Sequence, residues 1–261
     1  MPKIQVFNAE QQCLARAEHA QEVSLFYEGL YQAGDYLVIT LDDGCRYGAV
    51  KVDQAIAEAN VYMPEGRMIY RIEQGEGRLQ FPPQAFDGTR HVITARACAL
   101  AEQKVYRNVA LNPADQRGDT ECYPHATANV ETRGESVFAA RNVIDGMRLN
   151  HCHGEWPFQS WGIGARTDAY LTLDFGRPVV VDSMALTLRA DFPHDAYWTE
   201  ATVVLSDGTE KTFPLQQLAE RQRVELGTHT VTWMRLERLQ KSDDPSAFPA
   251  LTEWEVYGRD A

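Results

Sequence analysis

Between residues 169 and 189 the chain carries a pattern that few folds accept. Leu171, Leu173 and Phe175 fall on one face of an extended strand, while Tyr170, Thr172 and Asp174 fall on the other. Phe175-Gly176-Arg177-Pro178 reads as a turn, and a second strand follows over 179–189. A period of two calls for a half-buried sheet with a second layer packed on its apolar face. The signal recurs along the chain. Residues 36–41 are apolar and β-branched and stop at Asp42-Asp43-Gly44, which predicts a hairpin to 46–52. Further strands are expected at 68–73, 89–97, 200–206, 210–214, 229–238 and 252–258, with Ser206-Asp207-Gly208-Thr209 as a hairpin turn. Residues 9–20 fit either a short helix or a strand, and 214–222 fit a helical turn or two. Short strands at even spacing, without long helical periods, predict an all-β protein.

A chain of 261 residues suits one large domain or two of ordinary size. The best break is the polar, turn-rich Asn112-Pro113-Ala114-Asp115-Gln116-Arg117-Gly118-Asp119. Two β-sandwich domains are therefore expected, 1–115 and 116–261, and no motif assigns a role to the first. A net charge of −12 argues against nucleic acid and against anionic membrane surfaces as partners, because no basic stripe is present to neutralise phosphates. The opening MPKIQVFNAEQQ lacks the apolar core of a secretory signal, so a cytoplasmic location is expected. Five cysteines, at 13, 45, 98, 122 and 152, fit reduced thiols better than a disulfide framework. Self-association is left open.

Function-bearing residue types gather in two loops, 151–161 and 189–198. The first reads His151-Cys152-His153-Gly154-Glu155-Trp156 and ends at Trp161; the second holds Arg189, Asp191, His194, Asp195 and Trp198. Loops on a rigid sheet are where binding groups concentrate. A sugar presents C–H patches and hydroxyls together. Trp156 and Trp198 are expected to stack on it, while Arg189, Asp191, His194, Asp195 and His153 form hydrogen bonds. Trp161 is expected to plug the end of the sandwich. Other chemistries fit less well. His151, Cys152, His153 and Glu155 with Cys122 and His125 could supply zinc donors, but at a spacing that matches no zinc motif. His151, His153 and Glu155 are similar to the first cupin motif, but the Glu lies too close and the second motif is missing. Asp191 and Asp195 could flank a glycosidic bond, though acids are common in this chain.

Ala139-Ala140-Arg141-Asn142-Val143-Ile144-Asp145-Gly146 is followed by Trp156, Trp161 and Leu173-Asp174-Phe175-Gly176. Residues 181–188 and the terminal Leu251-Thr252-Glu253-Trp254-Glu255-Val256-Tyr257-Gly258 complete the series. In this order, over about the last 130 residues, the chain resembles the discoidin-type domain, also called the coagulation factor V/VIII C-type domain. Many bacterial members of that family are carbohydrate-binding modules of family 32. The resemblance implies a galactose-binding-like jelly roll that binds carbohydrate through loops at one end, without catalytic residues or an organic cofactor. It also implies a structural calcium, for which Asp145 and Glu253 occupy the acidic positions. The chain departs from the family at 147–155, MRLNHCHGE. Non-catalytic glycan binding is therefore expected of the second half. The alternatives are an enzyme of carbohydrate metabolism using metal or acid groups in the same loops, and a protein–protein assembly module.

Overall fold

A computed structural model describes residues 1–118, 120–151, 156–190 and 196–261. The protein is all-β, and its strands form two sandwiches. The first contains β1 (Lys3–Phe7), β2 (Cys13–Glu18), β3 (Glu22–Glu28), β4 (Tyr36–Thr40), β5 (Tyr47–Lys51), β6 (Ala59–Tyr62), β7 (Arg67–Arg71) and β8 (Arg90–Ala97). They make two four-stranded sheets, ordered β2-β1-β4-β7 and β3-β8-β5-β6. Alternation explains the packing: Ile4 and Val6, Val23 and Leu25, and Met68 and Tyr70 point inward to one shared core.

The expected hairpin between 36–41 and 46–52 does not form. β4 pairs with β1 and β7, whereas β5 pairs with β6 and β8, so Asp42-Asp43-Gly44 carries the chain from one sheet to the other. Each strand has three consecutive buried residues, the mark of a central strand with neighbours on both edges. Residues 13–18, left between helix and strand by their period, are strand β2.

The second sandwich contains β9 (Arg107–Asn108), β10 (His125–Ala128), β11 (Trp161–Gly162), β12 (Leu171–Leu188), β13 (Trp198–Leu205), β14 (Glu210–Pro214), β15 (Gln222–Lys241) and β16 (Ala250–Asp260). β12 and β15 are long strands that serve both layers. The first part of β12 pairs with β10 and with the second part of β15, which continues to β13 and β14. Its second part, from Val179, pairs with the first part of β15 and with β16, whose far edge takes β9 and β11. The segment expected to reverse the chain at 175–178 is therefore a bend within one strand. Gly176 makes the bend, with φ +65, and a Cβ there would lie 2.4 Å from the Tyr123 ring. Leu171, Leu173 and Phe175 are fully buried, and the 200–205/210–214 hairpin forms as β13–β14. No helix occurs at 214–222, and no described helix is long and apolar enough to cross a membrane.

The chain passes from one sandwich to the other over 107–126 rather than at a point. β9 already pairs with β16, and Val109 and Ala110 lie in the second core, yet Ala114 and Cys122 return to the first. Several contacts hold the halves together. Tyr62 and Tyr123 exchange backbone hydrogen bonds of 2.8 and 2.9 Å. Gln116 bonds to the edge of β7, accepting from Arg71 N (2.8 Å) and donating to Ile69 O (3.0 Å). Arg177, paired with Asp260 at 2.6 Å, stacks over the rings of Tyr47 and Tyr62.

Candidate functional site

A cleft of about 680 Å³ opens between the two sandwiches. One wall belongs to the first half, from 54–57 and 80–84; the other belongs to the second, from 145–147 with Arg141, Trp156 and Gln159. Its position is set by the contacts that join the halves. Ser136 donates its N–H to Glu76 Oε1 (2.8 Å) and its hydroxyl to Glu76 O (2.7 Å), which clamps the 3-10 turn Gly75–Gln80 onto the second half. Arg141, on the 3-10 segment Ala140–Ile144, lies with its guanidinium 4.8 Å from the centre of the Phe81 ring. Its N–H groups donate to Asp115 O (2.9 Å), Pro113 O (3.0 Å) and Asn142 Oδ1 (3.2 Å).

Two buried polar atoms on the cleft walls have no hydrogen-bond partner among the described residues: Gln80 Oε1 and Trp156 Nε1. Gln80 is 2% exposed and donates its Nε2 to Gly77 O at 2.7 Å. Trp156 is half-buried, and its indole is part of the cleft wall. Phe81, Pro82 and Met147 add apolar surface beside these groups. A concave, largely apolar site with a few convergent polar groups at a domain junction is the usual form of a small-molecule site.

The same wall carries Asp145, one of the two carboxyls expected to hold calcium. Asp145 Oδ1 accepts from Met147 N (2.7 Å), and Oδ2 accepts from Gln159 Nε2 (3.2 Å) and lies 4.0 Å from Arg141 Nη1. Gly146 N donates to Glu253 Oε2 at 3.2 Å, bringing the chain just after the Ala140–Ile144 segment to the last strand. Burial pushes Asp145 up to about 6, against the pull of Arg141 and its two hydrogen bonds. Burial, together with the Asp145 and Glu255 carboxyls, pushes Glu253 well above the usual carboxylate range. Two adjoining buried acids need a proton or a cation between them, so the donor set suits a hard cation. No group of three or more His, Cys, Asp or Glu is gathered among the described residues, so backbone oxygens or water would complete such a shell.

The two loops named from the sequence are a different matter. Asp191, His194, Asp195 and His153 lie outside the described residues. Trp198, expected to stack on ligand, is 1% exposed and packs in the second core, 6.1 Å from the Trp161 ring centre. The reason is a register break: Thr199 and Glu200 are both exposed, which shifts Trp198 into phase with the inward residues of β13. Arg189, expected to reach ligand, is 2% exposed and donates Nη1 to Phe158 O at 2.8 Å. The last six residues of β12 are buried on both faces, and Arg189 follows directly, bonded to Phe158. Trp161 is buried, as expected of an end plug. Cys122 and His125 are engaged elsewhere, the thiol in the first core and the imidazole on Asp115 at 2.7 Å. The first-half wall carried only a weak sequence signal, an aromatic between an amide and two prolines at Gln80-Phe81-Pro82-Pro83.

No family model matches the chain, and no curated protein matches it. Among solved structures, it is similar to chitosan-binding module 1 of a chitosanase/glucanase from Paenibacillus sp. IK-5, with 20% identity and a TM-score of 0.41, covering 59% of this chain and 100% of that one. It is also similar to the family 32 carbohydrate-binding module of C. perfringens NanJ, solved with galactose, at 18% identity and TM-score 0.39, over 51% of this chain and 91% of that one. A third is the family 32 module of Streptococcus pneumoniae EndoD, at 12% identity and TM-score 0.41, over 52% and 97%.

Proposed function

We propose that the protein binds carbohydrate without converting it, in the cleft between its sandwiches, with Trp156 as the stacking wall. The observation that carries this reading is Trp156, a partly exposed residue of the cleft wall whose buried N–H has no partner among the described residues. Of the three tryptophans in the loops read from the sequence, Trp161 and Trp198 are core residues, which leaves Trp156 to meet a ligand. An aromatic face takes the C–H side of a sugar ring, and the N–H takes a hydroxyl at its rim. Asp145 and Glu253 are assigned a structural role in the same proposal. A calcium ion between them would neutralise the paired acids and tie Gly146 to the last strand, steadying the cleft wall. Isothermal titration of the protein with neutral mono- and disaccharides tests the reading. The expected result is measurable binding that Trp156→Ala weakens at least tenfold with the unfolding midpoint preserved; no binding by the parent protein refutes it.

A further inference from the structure

Half of the cleft wall belongs to the first sandwich, for which the sequence suggests no task. Gln80 is its deepest polar contribution. The bond from its Nε2 to Gly77 O orients the amide, and among the described residues its Oε1 is a buried acceptor without a donor. On the other side, Trp156 Nε1 is a buried donor without an acceptor among the described residues. Leaving either group unmet is costly, and a hydroxyl both donates and accepts. The remaining chemistry narrows the ligand. Arg141 is the cation of the cleft wall, and its guanidinium is engaged by Asp115, Pro113 and Asn142 and covered by Phe81. Asp145 adds an acid, so with no cation bound at Asp145 an anionic sugar would meet a carboxyl and no available positive charge among the described lining residues. The turn bearing Gln80 is also held in place before any ligand arrives, because Glu76 within it is bound to Ser136 of the second half.

We propose that the two sandwiches recognise one ligand jointly, with Gln80 Oε1 accepting from, and Trp156 Nε1 donating to, hydroxyls of a neutral sugar unit held between them. This rests on the carbohydrate reading above and assigns the first sandwich the task of specificity.

The test couples a ligand hydroxyl to Gln80. The intact parent protein, Gln80→Leu and Trp156→Ala are titrated with D-glucose, D-galactose, N-acetyl-D-glucosamine and D-glucuronate, then with monodeoxy analogues of the tightest binder. Gln80→Leu should weaken the best neutral sugar by about tenfold. One monodeoxy analogue should lose a similar factor on the parent protein and bind Gln80→Leu as well as its parent sugar does, the non-additivity of an interacting pair. In chelator, glucuronate should bind more weakly than glucose. If Gln80→Leu does not fold, the parent protein still decides: sugar should shift both the Gln80 side-chain amide and the Trp156 indole N–H resonances. Binding that depends on Trp156, with no analogue coupled to Gln80 or with an unmoved Gln80 amide, overturns this inference and leaves the carbohydrate reading standing. Failure of every sugar to bind the parent protein overturns that reading instead.

Discussion

Replacing Asp145 by Asn should change how stability depends on pH, in a direction opposite to the usual carboxylate. Burial raises Asp145 from 3.8 to about 6, so its protonated form is the one the folded state prefers. Between those two values the folded protein holds a proton that the unfolded chain has released. Stability from this group is therefore highest below the unfolded value and falls as pH rises through about 6. At roughly 1.36 kcal/mol per pH unit, the full fall is about 3 kcal/mol, or roughly 6–12 °C in the unfolding midpoint of a chain this size. The side chain is 9% exposed, so water screens little of this. Asn keeps an oxygen for Met147 N and removes the charge. The assay is thermal unfolding of parent and Asp145→Asn in chelator, from pH 3.5 to 7.5, read as the difference between the two curves. The parent should lose ground steadily to the variant as pH rises, and millimolar calcium at pH 7 should restore it. Parallel curves would refute the claim that this buried acid carries a cost. A sloping difference untouched by calcium would leave the cost and remove the ion.

Trp198→Ala should cost about 3–5 kcal/mol, as for a fully buried core tryptophan, while sugar affinity measured on the folded fraction stays unchanged; a selective loss of affinity would return Trp198 to the binding site. His125→Gln tests the clasp between β10 and the 112–116 turn. Burial opposes charge on His125, but the hydrogen bond and charge of Asp115 prevail and raise it above its ordinary 6.5. Its contribution, about 1.5–3 kcal/mol for a hydrogen bond to a charged group, should be full below pH 6.5 and disappear as pH rises through the raised folded value. Equal pH profiles for parent and variant between pH 5 and 8 would contradict this.

The all-β class and most strands were legible because a period of two survives wherever one face of a strand is buried, as in β7, β8 and the first part of β12. Connectivity was less legible. Asp42-Asp43-Gly44 has hairpin residues, but a turn's residues do not say whether the chain returns to its own sheet, and here the strands it joins belong to opposite sheets. Gly176 looked like a reversal and is a bend, because the same partner, β15, bends with it. At the site, Trp156 could be named from its loop, but Trp198 was misplaced by a bulge that alternation alone does not reveal. Asp145 and Glu253 were paired through family resemblance, and the N–H of Gly146, next to Asp145 in the chain, donates to Glu253. Gln80 and its neighbours were missed because the cleft they line exists only where the two sandwiches meet.

Amide hydrogen exchange of the intact protein, with and without a saturating neutral sugar, tests most directly whether ligand sits between the sandwiches. The expected result is slowed exchange in both walls, around 54–57 and 80–84 in the first half and around 145–147 and 158–160 in the second. Slowed exchange confined to segments flanking the 191–195 loop, with 80–84 unchanged, would contradict it.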